Sequence, residues 1–169
     1  DTARSRGLGD VYKRQSPIVP DVASALAVPV LTSDSIWSLQ ALPQRLLVVG
    51  GGALGCEMAQ AFRRLGSQVV LVEAMSRLVA REEPEVSEGL EASLAKEGIE
   101  IFCNARFNGQ RPTGQMEILT SDDENDGHLI EADAVLFALG RTPTLDAKTQ
   151  ETLRFSLGRG GSLQVNESL

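Results

Sequence analysis

Arg45-Leu46-Leu47-Val48-Val49-Gly50-Gly51-Gly52-Ala53-Leu54-Gly55 decides the fold of this chain. Four consecutive apolar residues run straight into three glycines. An apolar run with no polar alternation is the pattern of a strand buried on both faces, as in parallel sheets. From Ala53 the period changes. Leu54, Met58, Ala59, Phe62 and Leu65 recur at mostly helical spacing, so one face of a helix is apolar. Gly66 stands where a C-cap glycine ends such a helix. Val69, Val70, Leu71 and Val72, within Gln68–Val72, predict a second buried strand. Strand, helix and strand across Arg45–Glu73 take 29 residues, close to the roughly 30 of a βαβ unit.

Downstream, Pro84 suits the first position of a second helix, because its missing N–H would be unpaired there anyway. Glu82, Glu83 and Glu85 sit at the positive end of that helix dipole. Val86, Leu90 and Leu94 are its expected buried stripe, Gly98 stops it, and Ile99–Cys103 reads as a third strand. From Phe107 to Ala132 the pattern becomes that of an antiparallel hairpin or meander. Met116, Ile118 and Thr120 lie on one face of a half-buried strand, Asp122–Gly127 is a turn cluster, and Leu129–Ile130 begins the return. Asp133 introduces Ala134–Leu139, apolar throughout, which ends in Gly140-Arg141-Thr142-Pro143.

On the N-terminal side, Ser16–Pro20 is extended, since each Pro disfavours helix at the residue before it. Val28–Leu31 reads as a short strand and Thr32–Leu39 as a short helix or turn capped by Ser33 or Asp34. In the tail, Gly160-Gly161 marks a turn before Leu163–Val165. The fold class expected is α/β, a Rossmann-like parallel sheet with an inserted antiparallel β-meander.

Composition narrows the chemistry. The 169 residues carry 16 Lys and Arg against 23 Asp and Glu, a net charge of −7, which argues against nucleic acid, whose phosphates need clustered cations. No apolar run approaches the roughly 20 residues that span a bilayer. Cys56 and Cys103 form no C-x-x-C pair and no metal quartet, and both read as small buried hydrophobes. His128 reads as a surface residue. The acidic run Asp122-Asp123-Glu124-Asn125-Asp126 lacks the spacing of a calcium loop and reads as a solvated hairpin tip. Together these predict a soluble, cytoplasmic domain without a metal site. Asp1–Gln15, with Arg4, Arg6, Lys13 and Arg14 against Asp1 and Asp10, has no apolar period and reads as a non-native leader, the alternative being a native arm without order.

Gly50-Gly51-Gly52-Ala53-Leu54-Gly55 satisfies G-x-G-x-x-G between a buried strand and an amphipathic helix, the context in which that string denotes dinucleotide binding. Gly50 permits the tight turn, Gly52 lets a pyrophosphate approach the backbone, and Gly55 lets the helix pack against the strands. The pyrophosphate would lie on the N–H groups of the helix start. Glu73 ends the second strand 23 residues after Gly50, where a carboxylate accepts hydrogen bonds from the adenosine ribose and repels a 2′-phosphate. This predicts NAD over NADP, with Arg77 a nearby cation able to accommodate a 2′-phosphate.

Three stretches together resemble one family: Gly50–Glu57; then Arg81-Glu82-Glu83-Pro84-Glu85-Val86-Ser87; then Ala132-Asp133-Ala134-Val135-Leu136-Phe137-Ala138-Leu139-Gly140-Arg141-Thr142-Pro143. They are similar to the NAD(P)-binding domain of the class I pyridine nucleotide–disulfide oxidoreductases, and the similarity runs from about Ser16 to Val165. The resemblance implies a cofactor-binding set of Gly50, Gly51, Gly52, Ala53, Leu54 and Gly55 at the pyrophosphate and nicotinamide ribose, with Glu73 at the adenine ribose. It further implies Phe107 against the adenine, Gly140 with Arg141 beside the nicotinamide, and Glu57 facing a flavin-side Lys. NAD is the implied cofactor of this segment, and FAD that of the intact parent, a homodimer through a C-terminal domain outside this sequence.

The implied division is a leader at 1–15, an exit from a first FAD-binding half at 16–43, the NAD-binding domain at 44–143, and the return into a second FAD-binding half at 144–169. The chain departs from the family pattern in several places. Ala53 stands where some members carry a flavin-covering Tyr, and Glu83 replaces a more usual Asp, a better N-cap. The redox C-x-x-x-x-C and the catalytic His–Glu pair have no counterpart, so no catalytic residue is expected here. The expected parent is similar to dihydrolipoamide dehydrogenase, in keeping with Glu73. The alternatives are a mercuric-reductase-like or other family member, a standalone nucleotide-binding module, and a Rossmann dehydrogenase of another family.

Overall fold

The computed structural model describes residues 15–121 and 123–143. They fall into two compact units. The first holds Val19–Leu139 and contains β2 (Val30–Leu31), β3 (Arg45–Val49), α1 (Ala53–Leu65), β4 (Gln68–Val72), α2 (Pro84–Lys96), β5 (Glu100–Phe102), β6 (Ala105–Gln110), β7 (Met116–Thr120), β8 (Asp123–Ile130) and β9 (Ala134–Phe137). In the other unit, β1 (Gln15–Pro17) pairs antiparallel with β10 (Arg141–Pro143). There Ile18 N–H donates to the Gly140 carbonyl at 3.0 Å and Arg141 Nη2 to the Gln15 carbonyl at 2.6 Å.

Five strands form a parallel sheet in the order β2-β9-β3-β4-β5. Its apolar runs are buried on both faces because each face has its own cover. Leu46, Val48, Val69, Leu71, Ala134 and Leu136 pack against Cys56, Met58, Ala59 and Phe62 of α1 and Leu94 of α2. The alternate residues Leu47, Val49, Val72, Val135 and Phe137 pack against Ala105, Met116 and Ile118 of the antiparallel meander β6-β7-β8. The strand period of two sorts the same run into two cores. Gly66, at φ +113°, ends α1 in the left-handed region, as the sequence predicts.

Four local expectations are corrected. On α2, Val86 is 53% exposed and Ser87 only 1%. The Ser87 hydroxyl donates to the Leu78 carbonyl at 2.7 Å, which turns the helix so that Ser87, Leu90 and Leu94 face inward. The turn assigned to Asp122–Gly127 is instead mostly strand. Thr120 pairs with Asp123, and the ladder resumes at Ile118 with His128 after a register shift, within a strand that runs to Ile130; Asp122 itself lies outside the described residues. Strand β7 is not half-wet, because Glu117 is buried as well. It accepts Asn108 Nδ2 at 2.5 Å and the Arg111 guanidinium, and these partners, Asn108 foremost, hold its carboxyl below the usual range. Finally, the N-cap of the Ile36–Ser38 turn is Ser35 rather than Ser33 or Asp34, and it makes no side-chain capping bond; the approach to it is held by Thr32, whose Oγ1 accepts the N–H groups of Asp34 and Ser35 at 3.3 Å each. The Gly160-Gly161 turn lies outside the described residues.

At the N-terminal edge of the sheet, Asp133 ties β9 to β3. It accepts Arg45 N–H at 2.9 Å and Arg45 Nη2 at 2.6 Å. The opposite, C-terminal edge carries the glycine loop.

Candidate dinucleotide site

The chain leaves β3 at Val49, whose carbonyl accepts Ala138 N–H at 2.8 Å. It then turns at Gly50, whose N–H donates to the Val72 carbonyl at 2.8 Å. Gly50 sits at φ +111°, and a Cβ there would stand 2.6 Å from the Ala138 carbonyl oxygen. Both the backbone angle and the packing demand glycine. A Cβ on Gly55 would overlap the Gly50 carbonyl oxygen, so Gly55 is what lets α1 seat on the loop. Gly51 is buried, and a side chain there would meet Leu78 Cδ2 at 2.6 Å and Glu73 Cβ at 2.9 Å.

Gly52 is different. Its φ of −72° is open to any residue, and among the described residues, its chain neighbours aside, no atom lies within 4 Å of the position its Cβ would take. Gly52 is also the N-cap of α1 and contributes no side-chain hydrogen bond. The helix ladder begins with Cys56 N–H on the Gly52 carbonyl at 3.0 Å, which leaves the N–H groups of the first turn outside it. Ala53 is exposed and Leu54 half-buried at that turn. The positive end of the dipole thus opens beside a backbone stripped of its side chain, the form of an anion site at a helix start.

Glu73 lies at the end of β4 with both carboxylate oxygens engaged. Oε2 accepts Gly51 N–H at 2.6 Å and Oε1 accepts Met75 N–H at 2.7 Å. Its backbone is pinned by β5 and β6, with N–H on the Phe102 carbonyl at 2.8 Å and its carbonyl accepting Ala105 N–H at 2.9 Å. Each oxygen has a second lone pair, so a ribose diol can still be accepted.

Beyond Glu73, the loop 74–83 passes under the glycines. Leu78 is fully buried, and Val79 N–H donates to the Gly51 carbonyl at 2.8 Å. Arg77 Nη2 donates to the carbonyls of Ala80 at 3.1 Å and Glu82 at 2.9 Å.

The structure therefore gathers Gly50, Gly51, Gly52, Gly55 and Glu73 at one edge of the sheet. Glu57 is exposed on α1, with no ion-pair partner among the described residues. Phe107 is half-buried on β6, its ring edge-on to Phe137 at 5.8 Å, within the meander-side core. Gly140, at φ +95°, and Arg141 belong to the unit of β1 and β10.

Cys56 is buried, its thiol on the Gly51 carbonyl at 3.4 Å, and burial, aided by Glu73, pushes that thiol up to about 11. Cys103 is half-buried rather than buried. His128 is exposed, its ring 5.2 Å from Phe102.

Sequence reasoning missed Leu78, Val79 and Met75 as supports of the site. The one available signal was Leu78, an isolated leucine between Arg77 and Val79 in a loop with no helical or strand period.

Residues 14–169 match the family model described as pyridine nucleotide-disulphide oxidoreductase. The mercuric reductase of Staphylococcus aureus is 32% identical over 154 residues, 91% of this chain and 28% of that protein. The dihydrolipoyl dehydrogenase of Bacillus subtilis is 36% identical over 117 residues, 69% of this chain and 25% of that protein. Among solved structures, the Cu(II) complex of the HOCl-induced flavoprotein disulfide reductase RclA from Escherichia coli superposes with a TM-score of 0.75 at 25% identity, over 92% of this chain and 35% of that one. LpdA of Mycobacterium tuberculosis gives a TM-score of 0.70 at 29% identity, over 90% and 32%. The chain spans about a quarter to a third of the length of these relatives. The family match over nearly the whole chain agrees with the parallel sheet and its glycine loop, and the chain belongs to the pyridine nucleotide–disulphide oxidoreductase family.

Proposed function

We propose that residues 44–143 are the dinucleotide-binding domain of a flavin-dependent oxidoreductase and that they bind NAD(H) in preference to NADP(H). The observation that carries this is Gly52. Nothing among the described residues requires glycine there, since its backbone angle is ordinary and its Cβ position meets no atom beyond its chain neighbours. A ligand lying against that backbone does require it. When bound, the nicotinamide would supply hydride exchange with the FAD of the intact protein. The residues of this chain position it: the first turn of α1 binds the pyrophosphate, and Glu73 accepts the adenosine ribose and rejects a 2′-phosphate. By the same assignment, Phe107 borders the adenine, Gly140 and Arg141 the nicotinamide, and Glu57 the flavin side.

Glu73 supports a dihydrolipoyl-dehydrogenase-like parent. A mercuric-reductase-like parent is the second reading, favoured by similarity over 91% of the chain. The test is to titrate the 169-residue chain with NADH and NADPH by calorimetry while assaying it for NADH-dependent reduction of a disulfide or a dye. NADH binding, weaker NADPH binding and no turnover are expected. Absence of NADH binding, or turnover by this chain alone, overturns the proposal.

A further inference from the structure

Arg77 lies four residues beyond Glu73, a cation of the kind that accommodates a 2′-phosphate. Its hydrogen bonds go elsewhere. Nη2 holds the carbonyls of Ala80 at 3.1 Å and Glu82 at 2.9 Å, and Nε is buried without a partner among the described residues. The segment it clamps also carries the Glu82 N–H bond to the Val79 carbonyl at 2.8 Å, and Val79 is held at φ +40°, which costs a β-branched residue strain. Such a backbone persists only when its surroundings over-determine it.

Val79 is the residue whose N–H fixes the Gly51 carbonyl at 2.8 Å, and Gly51 N–H in turn fixes Glu73 Oε2 at 2.6 Å. A chain of bonds therefore runs from the Arg77 clamp through Val79 and Gly51 to the carboxylate.

We infer that Arg77 is a positioning residue of the dinucleotide site: it acts through Val79 and Gly51 to hold Glu73 for the adenosine ribose, and does not itself contact a 2′-phosphate. This rests on the NAD(H) reading above. Because the bonds lead to Glu73, the adenosine half of the ligand feels the clamp. Loss of one charge-assisted positioning bond corresponds to about tenfold in affinity.

The test uses the 169-residue chain and its Arg77→Met and Arg77→Lys variants. Dissociation constants are measured for NADH, NADPH, AMP and NMN well below each thermal midpoint. Arg77→Met is expected to weaken NADH and AMP about tenfold and to leave NMN within about twofold. Arg77→Lys, which keeps a cationic donor for the carbonyls, recovers part of that loss. Unchanged NADH and AMP affinities in folded Arg77→Met overturn the inference, because the clamp then serves folding alone. A selective loss of NADPH affinity overturns it in the other direction, because Arg77 then touches the phosphate. If Arg77→Met does not fold, Arg77→Lys decides: weaker AMP with unchanged NMN supports the inference, and unchanged AMP overturns it. Failure of the wild-type chain to bind NADH instead brings down the underlying NAD(H) reading, an outcome distinct from all of these.

Discussion

Glu73 Oε2 accepts the N–H of Gly51 at 2.6 Å, so the proposed ribose-binding carboxylate is also a support of the glycine loop. Two amides of the loop, those of Gly50 and Gly51, are spent on the protein itself, and the amides left for the proposed pyrophosphate are those at the start of α1. In the proposed site Glu73 would accept the adenosine ribose while one of its oxygens also holds Gly51 in place.

Gly52 and Gly55 separate ligand demand from fold demand. Gly52→Ala places its methyl in open space at an ordinary φ, and stability is expected to change by no more than about 1 kcal/mol. NADH affinity is expected to fall at least tenfold, because the methyl would stand where the proposed pyrophosphate approaches. Gly55→Ala drives a methyl into the Gly50 carbonyl and is expected to cost about 3 kcal/mol or more. Urea unfolding and NADH titration of the two variants check the contrast, which fails if Gly52→Ala binds NADH normally.

Glu73→Ala would remove the proposed ribose acceptor and free the N–H groups of Gly51 and Met75. Hydrogen bonds to a charged group are worth about 1.5–3 kcal/mol, so NADH affinity should fall roughly 10- to 100-fold. NADPH should lose much less, since the repulsion of its 2′-phosphate disappears in the same step. Paired titrations check this, and equal losses for both ligands would remove Glu73 from the ribose.

Cys56 is expected to be inert in the folded chain. Its thiol is buried and raised to about 11 from 9.0, and the thiolate is the reactive form. Cys103 is raised as well, again by burial first. A thiol-reactive dye at pH 8 should label the native chain slowly and both cysteines at once in urea. Because the folded Cys56 thiol titrates above the unfolded one, the stability that comes from keeping it neutral is complete below about pH 9 and is lost as pH rises toward 11. Cys56→Ala should flatten that alkaline decline.

Asp133 governs part of the acid limb. Its hydrogen bonds with Arg45 hold the carboxyl below its ordinary 3.8. Its contribution to stability is therefore present above pH 3.8 and is lost as pH falls through the lower folded value. Asp133→Asn should reduce stability at pH 7 and show a shallower further loss on acidification. Parallel acid limbs for the two proteins would show that the Arg45–Asp133 pair contributes nothing across that range.

What the sequence determined by itself was local. The apolar runs at Leu46–Val49, Val69–Val72 and Ala134–Leu139 announced strands covered on both faces, the last of which ends at Phe137 in the fold, and Gly66 and Pro84 marked helix ends, because these signals depend on periodicity and backbone preference within a few residues. The G-x-G-x-x-G string and Glu73 placed the proposed site for the same reason. Tertiary structure decided the rest. Whether Ser87 or Val86 faced inward depended on the Leu78 carbonyl nine residues earlier in the chain. That Asp123 pairs with Thr120, with a register shift before His128 meets Ile118, depended on β7. That Gly51 is filled by Leu78 and Glu73, while Gly52 is left open, depended on where loop 74–83 came to rest. A glycine that must be small for the protein and a glycine that must be small for a ligand are the same letter in a sequence, and only the atoms packed around each one tell them apart.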